Sequence, residues 1–332
     1  MGRQGKTLKY LLMILLLLVG CVTPVLATVD FQVTPVYQLL AWSPDETEIL
    51  ALSEFPLPDL ITKTQLIMMK FNSFSSVIIE ETEPHEGRIE LPSSFRKYIN
   101  EMKEKGFKPG KIVVAPREIP EDHYQWTYPK PLLFSSGQTL EIELIDDKYL
   151  LVLRQVMEGI APAEIIISDL TPMLKKECPM LFEDDSEVHS VGIYSNQINL
   201  SPTMEKAIVP IEVEYSKMGI DFHHSLLVGF SFAEECSRLH NICGFRLYKV
   251  KDYTRAEEQF IHAFVANSRN SQPIYNLACI CALTKRYSDA LNYLEIAVSL
   301  NPNYKKKALE DSDFDSLRET YSFLFNKIVN GR

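Results

Sequence analysis

The chain has 332 residues, 46% hydrophobic and 23% charged, and a formal charge of −10. That composition excludes a disordered chain, and the negative field excludes a general nucleic-acid binder because nothing in it attracts phosphate. Thirteen glycines, nineteen prolines and six cysteines exclude collagen-like, low-complexity and disulfide-scaffold classes.

Residues 1–9 carry Arg3, Lys6 and Lys9 and no acid, and an apolar run from Tyr10 to Gly20 follows. A basic start and a short apolar run have the shape of a secretory signal over residues 1–20, and the run is short for a bilayer span. Three processing routes are open. Leu18-Val19-Gly20-Cys21 resembles a bacterial lipobox, in which Cys21 is acylated and becomes the new N-terminus. Val25-Leu26-Ala27, after Pro24, offers ordinary cleavage after Ala27. The run can also stay as an uncleaved anchor. The lipobox route assumes a bacterial source and implies a periplasmic or cell-envelope lipoprotein, held at a membrane by acyl chains.

From Thr28 to Phe230 the hydrophobic period is 2, which predicts an all-β domain over 28–230. Strands are expected at 48–53, 65–71, 76–80, 140–144, 148–153, 163–168, 206–212 and 226–232, with Pro, Gly, Asn and Asp between them. One helix interrupts at 93–105, begun by serines and stopped at Gly106. Trp42-Ser43-Pro44-Asp45, with the apolar strand behind it, resembles the SPD turn of Tol-type β-propeller blades. Echoes stand at Leu200-Ser201-Pro202-Thr203 and Ile145-Asp146-Asp147-Lys148. The resemblance implies an incomplete propeller-like array; a β-sandwich is the alternative.

Beyond residue 232 the period becomes helical, and the chain repeats itself. Gly244, Ala256, Phe260 and Ala263 recur as Ala278, Ala290, Leu294 and Ala297, each 34 residues on. Small residues let helices approach, and Phe260 or Leu294 fills the space one turn beyond an alanine. This pattern resembles the tetratricopeptide repeat, with units at 237–270 and 271–304. It departs where His240 and Ile274 replace the usual aromatic and Ser268 replaces a proline. Two units cannot bury their faces alone, so Lys305–Arg332 is expected to cap them, with Phe314, Leu317, Tyr321 and Leu324 inward.

The resemblance implies a concave groove lined by the first helix of each unit. Unit one would supply Arg238, Asn241, Phe245, Tyr248 and Lys249; unit two would supply Gln272, Tyr275, Cys279 and Leu283. Aromatics beside basic residues suit a protein or peptide segment with apolar anchors and some negative charge. The competing possibility is that the neighbouring domain fills the groove and the repeats act as a buttress.

Catalytic and metal motifs are lacking: there is no G-x-S-x-G elbow, H-E-x-x-H, phosphate loop or dinucleotide fingerprint. His223 and His224 would face opposite sides of a strand, so a loop or strand-end position is expected for them. A calcium loop at Asp311, Asp313 and Asp315 lacks the turn glycine and the closing glutamate, and helix capping by Ser312 or Asp313 is expected instead. After Cys21, five cysteines remain, and they are expected to be buried structural thiols. The sequence thus describes an α+β chain with separate domains: all-β first, then a helical repeat module over 232–332. The function expected is a non-enzymatic adaptor or scaffold, without cofactor or metal; a ligand-binding or sensory β-domain is the alternative.

Overall fold

The computed structural model describes residues 36–56, 61–83, 85–86, 92–114, 132–135, 137–193 and 197–331. The signal segment, Cys21 and the Val25-Leu26-Ala27 site lie outside the described residues. No helix among the described residues is long and apolar enough to cross a membrane.

Short β-branched and apolar runs separated by turn residues build three antiparallel sheets. The first is a meander of β1 (Val36–Trp42), β2 (Glu48–Pro56), β3 (Ile61–Lys70) and β4 (Ser76–Glu81), with β5 (His85–Glu86) also on β3. Helix α1 (Ser93–Glu104) and strand β6 (Lys111–Val114) follow. A second meander joins β7 (Leu132–Ser135), β8 (Gln138–Ile145), β9 (Lys148–Gln155) and β10 (Ala163–Asp169). After α2 (Thr171–Glu177) come β11 (Ser186–Gly192), β12 (Gln197–Leu200), β13 (Ala207–Lys217) and β14 (Ile220–Phe230) of the third sheet. There β13 pairs with β14 along its whole length, and its other edge is shared by β12 and β11; β12 also pairs with β6.

The alternation of β13 explains the stacking. Val209, Ile211, Val213 and Tyr215 share a core with Leu140, Leu151, Leu153 and Ile165 of the second sheet. Ile208, from the other set, packs with Trp42, Ile49, Ile67, Met69 and Phe71 of the first. The far face of the first sheet, with Leu50, Leu52 and Leu66, is covered by Phe95 and Met102 of α1. The expected strands and the helix at 93–105 all form. β1, β5, β6, β7, β11, β12 and α2 are additions: they are short or lack clean alternation, so pairing partners rather than period define them.

The two Ser-Pro turns adopt the same form and hold each other. Ser43 Oγ accepts from the Glu48 amide at 2.9 Å, and Ser201 Oγ accepts from the Lys206 amide at 3.2 Å. Glu46 and Met204 occupy equivalent positions, with positive φ of 55° and 63°. Buried Glu46 accepts from both the amide and the hydroxyl of Thr203 at 2.9 Å, while Lys206 Nζ donates to the Glu46 carbonyl at 2.7 Å. Positive φ costs a non-glycine residue ~1 kcal/mol, so Glu46 is held there by its side chain. Glu46→Ala is expected to cost about 2–3 kcal/mol in urea unfolding and Glu46→Gly ~1 kcal/mol less, because glycine relieves the backbone. Equal stability of both variants and wild type would show that the clasp does not matter.

Helices fill the rest. α3 (Phe232–Lys249) and α4 (Tyr253–Ala266) form one hairpin, and α5 (Ser271–Leu283) and α6 (Tyr287–Leu300) a second. Asp252 caps α4 through the Arg255 amide, and Asn270 caps α5 through the Gln272 amide, both at 3.2 Å. All eight residues of the 34-residue pattern are buried. A Cβ placed on Gly244 would lie 2.6 Å from the Phe260 ring, so the glycine sets the closeness of α3 and α4. Leu239 and Cys243 of α3 enter the core of the second and third sheets, which ties the helices to the β region.

The C-terminal segment departs from expectation. It forms α7 (Tyr304–Glu310), a 3-10 turn at Ser312–Phe314, α8 (Asp315–Thr320) and α9 (Ser322–Asn330) instead of one capping helix. The break at Tyr321 rotates the inward face. Phe314 and Leu317 are buried as expected, but Phe325 and Val329 replace Tyr321 and Leu324, which are 42% and 44% exposed. His223 and His224 also differ from expectation, since both lie inside β14 rather than at its end. They do face opposite sides: His224 stacks on Tyr215 in the core with centroids 5.6 Å apart, and His223 is outside.

Candidate functional site

Residues spaced three and four apart on α3 and α5 share one face, and that face is the expected groove. It contains a pocket of about 260 Å³ lined by Phe245, Tyr248, Phe260, Tyr275, Asn276 and Cys279 from the hairpins and by Lys307, Asp311, Ser312 and Asp313 from the C-terminal segment. No sheet residue lines it. Asn241 is buried and accepts from Asn276 Nδ2 at 3.0 Å, which joins the first helices of the two hairpins. Phe245 is 45% exposed, stacked on Tyr248 with centroids 6.0 Å apart, and Lys249 Nζ sits 4.8 Å over its ring. Among the described residues Lys249 has no carboxylate partner, whereas Arg238 is paired to Glu235 at 2.6 Å. Gln272 and Leu283 are exposed at the ends of α5 and do not line the pocket.

Tyr275 is placed differently from an open groove aromatic. It is 1% exposed, stacked on Tyr304 at 4.3 Å and edge-on to Phe314 at 5.8 Å. Its hydroxyl donates to Asp311 Oδ2 at 2.8 Å, and the Tyr248 hydroxyl donates to Asp313 Oδ2 at 2.7 Å. Burial, with these carboxylates alongside, holds both phenols well above their ordinary range. The chain's own Asp311-Ser312-Asp313 segment therefore occupies one end of the groove. Of the three aspartates of the calcium reading, Asp311 and Asp313 stay together beside Cys279, with Asp311 also capping the Asp313 amide at 3.1 Å, whereas Asp315 turns away to pair with Arg318. Lys307, Asp311, Asp313 and Asn276 were not among the residues expected here. No local pattern marks the aspartates for this place; they reach it because the turn after α7 lays them against Tyr248 and Tyr275.

All five cysteines among the described residues are free and buried. Desolvation pushes the thiols of Cys178 and Cys236 up to about 12 and those of Cys243 and Cys281 to about 11, which removes thiolate chemistry near neutral pH.

A second cleft, of about 590 Å³, lies where α3 and α4 meet the second sheet, lined by Gln138, Gln155, Met157, Glu158, His240 and Gln259 among others. The loop after β9 is held over it, with Arg255 donating to the Glu158 carbonyl at 2.9 Å. His240 Nδ1 lies 2.9 Å from Gln259 Oε1 and its Nε2 lies 3.2 Å from Gln138 Nε2. That pairing fits a neutral ring donating from Nδ1, and burial holds its pKa below the ordinary histidine range.

No protein-family model matches the chain, and none of the curated proteins matches it.

Proposed function

We propose that the chain is a non-enzymatic adaptor of the bacterial cell envelope whose helical hairpins, of tetratricopeptide type, bind a segment of a partner protein. The observation that carries this reading is the convergence of Phe245, Tyr248, Tyr275, Asn276 and Cys279 on one pocket, with Phe245 and Lys249 at its open rim. An exposed aromatic with a cation over it offers an apolar anchor next to positive charge. Asp311 and Asp313 already rest on the groove's tyrosines, an internal example of the acidic chemistry it accommodates. Export, acylation at Cys21 and a propeller-like β region complete the proposal, the last supported by two matching Ser-Pro turns on neighbouring sheets.

Selection of displayed peptides against the full chain tests it. The peptides recovered are expected to pair a large apolar residue with a nearby acid, and Phe245→Ala and Lys249→Glu are each expected to weaken them by ~10-fold or more. Recovery of no sequence class, or binding indifferent to both changes, contradicts the reading. The second cleft favours one other reading, a ligand-binding β-domain buttressed by the helices: it is the larger space, and buried Gln138, Gln155 and Gln259 line it.

A further inference from the structure

Three places bring together groups able to do chemistry, two of them within the sites described above. Cys279, Asp311 and Asp313 lie close, but tyrosine hydroxyls and a backbone amide already engage the two carboxylates. The junction cleft is rich in neutral amides whose hydrogen bonds are made within the protein. The third place is on the third sheet, on the face that carries Ile208 but farther along β13, and it is different in kind.

On that face β13 presents Glu212 and Glu214, two residues apart and so on the same side. Antiparallel register sets His223 of β14 directly opposite Glu214. The imidazole falls between the two carboxylates, with Nε2 3.3 Å from Glu212 and Nδ1 3.2 Å from Glu214. One nitrogen and two carboxylate oxygens lie within 4.8 Å of one another. Each glutamate side chain is only 17% exposed, and among the described residues neither has a lysine or arginine partner. These two largely buried carboxylates face one imidazole, so at most one positive charge is shared between two negative ones, which is costly away from water.

We propose that Glu212, Glu214 and His223 form a binding site for a divalent first-row transition cation of the zinc type. The donor set decides the class: one imidazole and two carboxylates suit zinc and its neighbours, whereas calcium and magnesium take oxygen shells. A further polar group orients the set, because Ser190 of β11, opposite Glu214 in the register, directs its hydroxyl to Glu214 Oε2 at 3.4 Å. All four residues are on strands of one sheet, so the backbone fixes their spacing before any ion arrives. His223 is half-exposed, so the set is reached from solvent.

The test is zinc titration of the chelator-stripped full chain against a chromophoric competitor, with X-ray absorption of the loaded protein. One zinc per chain is expected, in a shell of nitrogen and oxygen at about 2.0–2.2 Å with no sulfur at ~2.3 Å. Glu212→Gln, Glu214→Gln and His223→Gln should each weaken binding by more than ~10-fold, and Ser190→Ala by less than any of them. Melting in chelator should leave the variants at the wild-type temperature, which separates lost binding from lost folding. Absence of saturable binding by wild type, a sulfur-containing shell, or unchanged affinity in the glutamine variants would overturn the site.

Discussion

Phe260→Ala is expected to lower stability by about 3–5 kcal/mol, measured by urea unfolding. The ring is fully buried and fills the gap left by Gly244, whose added Cβ would come within 2.6 Å of it. The same contact predicts a change of sign. In the wild-type background Gly244→Ala gains ~1 kcal/mol of helix propensity but loses about 1–3 kcal/mol to overpacking, so it destabilises. In a Phe260→Leu background the clash is gone and only the gain is left, so the same change stabilises. The second hairpin already carries that combination, with Ala278 and Leu294 both buried at the corresponding positions. If Gly244→Ala has the same effect in both backgrounds, the small–large pairing does not set the spacing of α3 and α4.

Tyr275→Ala is expected to cost a similar ~3–5 kcal/mol, and Tyr275→Phe about 1–3 kcal/mol. The alanine removes a ring packed between Tyr304 and Phe314, whereas the phenylalanine removes only the donor to Asp311. Phe245→Ala should cost about 1 kcal/mol or less, since that ring is 45% exposed and loses mainly its stacking on Tyr248. The groove thus divides into a structural floor and a free rim. Unfolding curves for the three variants measure the division directly. A Tyr275→Ala protein as stable as Phe245→Ala would contradict it.

The legible parts of the fold were those in which one local rule decides the outcome. Buried strands such as β9 and β13 announce themselves as apolar or alternating runs, and the 34-residue spacing marks both hairpins through small and large residues that are all buried. β11 and β12 stayed hidden because SEVHSVG and QINL have no such signal and exist as strands through β13. In the C-terminal segment helical spacing points Tyr321 and Leu324 inward, but a helix break at Tyr321 shifts the inward face without any proline or glycine to mark it. At the groove, the helical period placed Asn241, Phe245, Tyr248, Tyr275 and Cys279 on one surface, but it cannot tell floor from rim. Burial of Tyr275 depends on Tyr304 and Phe314, which arrive from about thirty to forty residues later. Glu212, Glu214 and His223 were equally hidden, because their meeting is a matter of strand register and not of spacing along the chain.

The most direct measurement places a photo-crosslinking amino acid at position 245 of the full chain, in the cells that produce it. Parallel variants carry it at Ile261, exposed on α4, and at Glu158 beside the second cleft. One discrete protein adduct is expected from position 245, lost when Lys249→Glu is added and absent from position 261. Adducts of equal yield from 245 and 261, or a discrete adduct from 158 alone, would contradict the groove as the working surface.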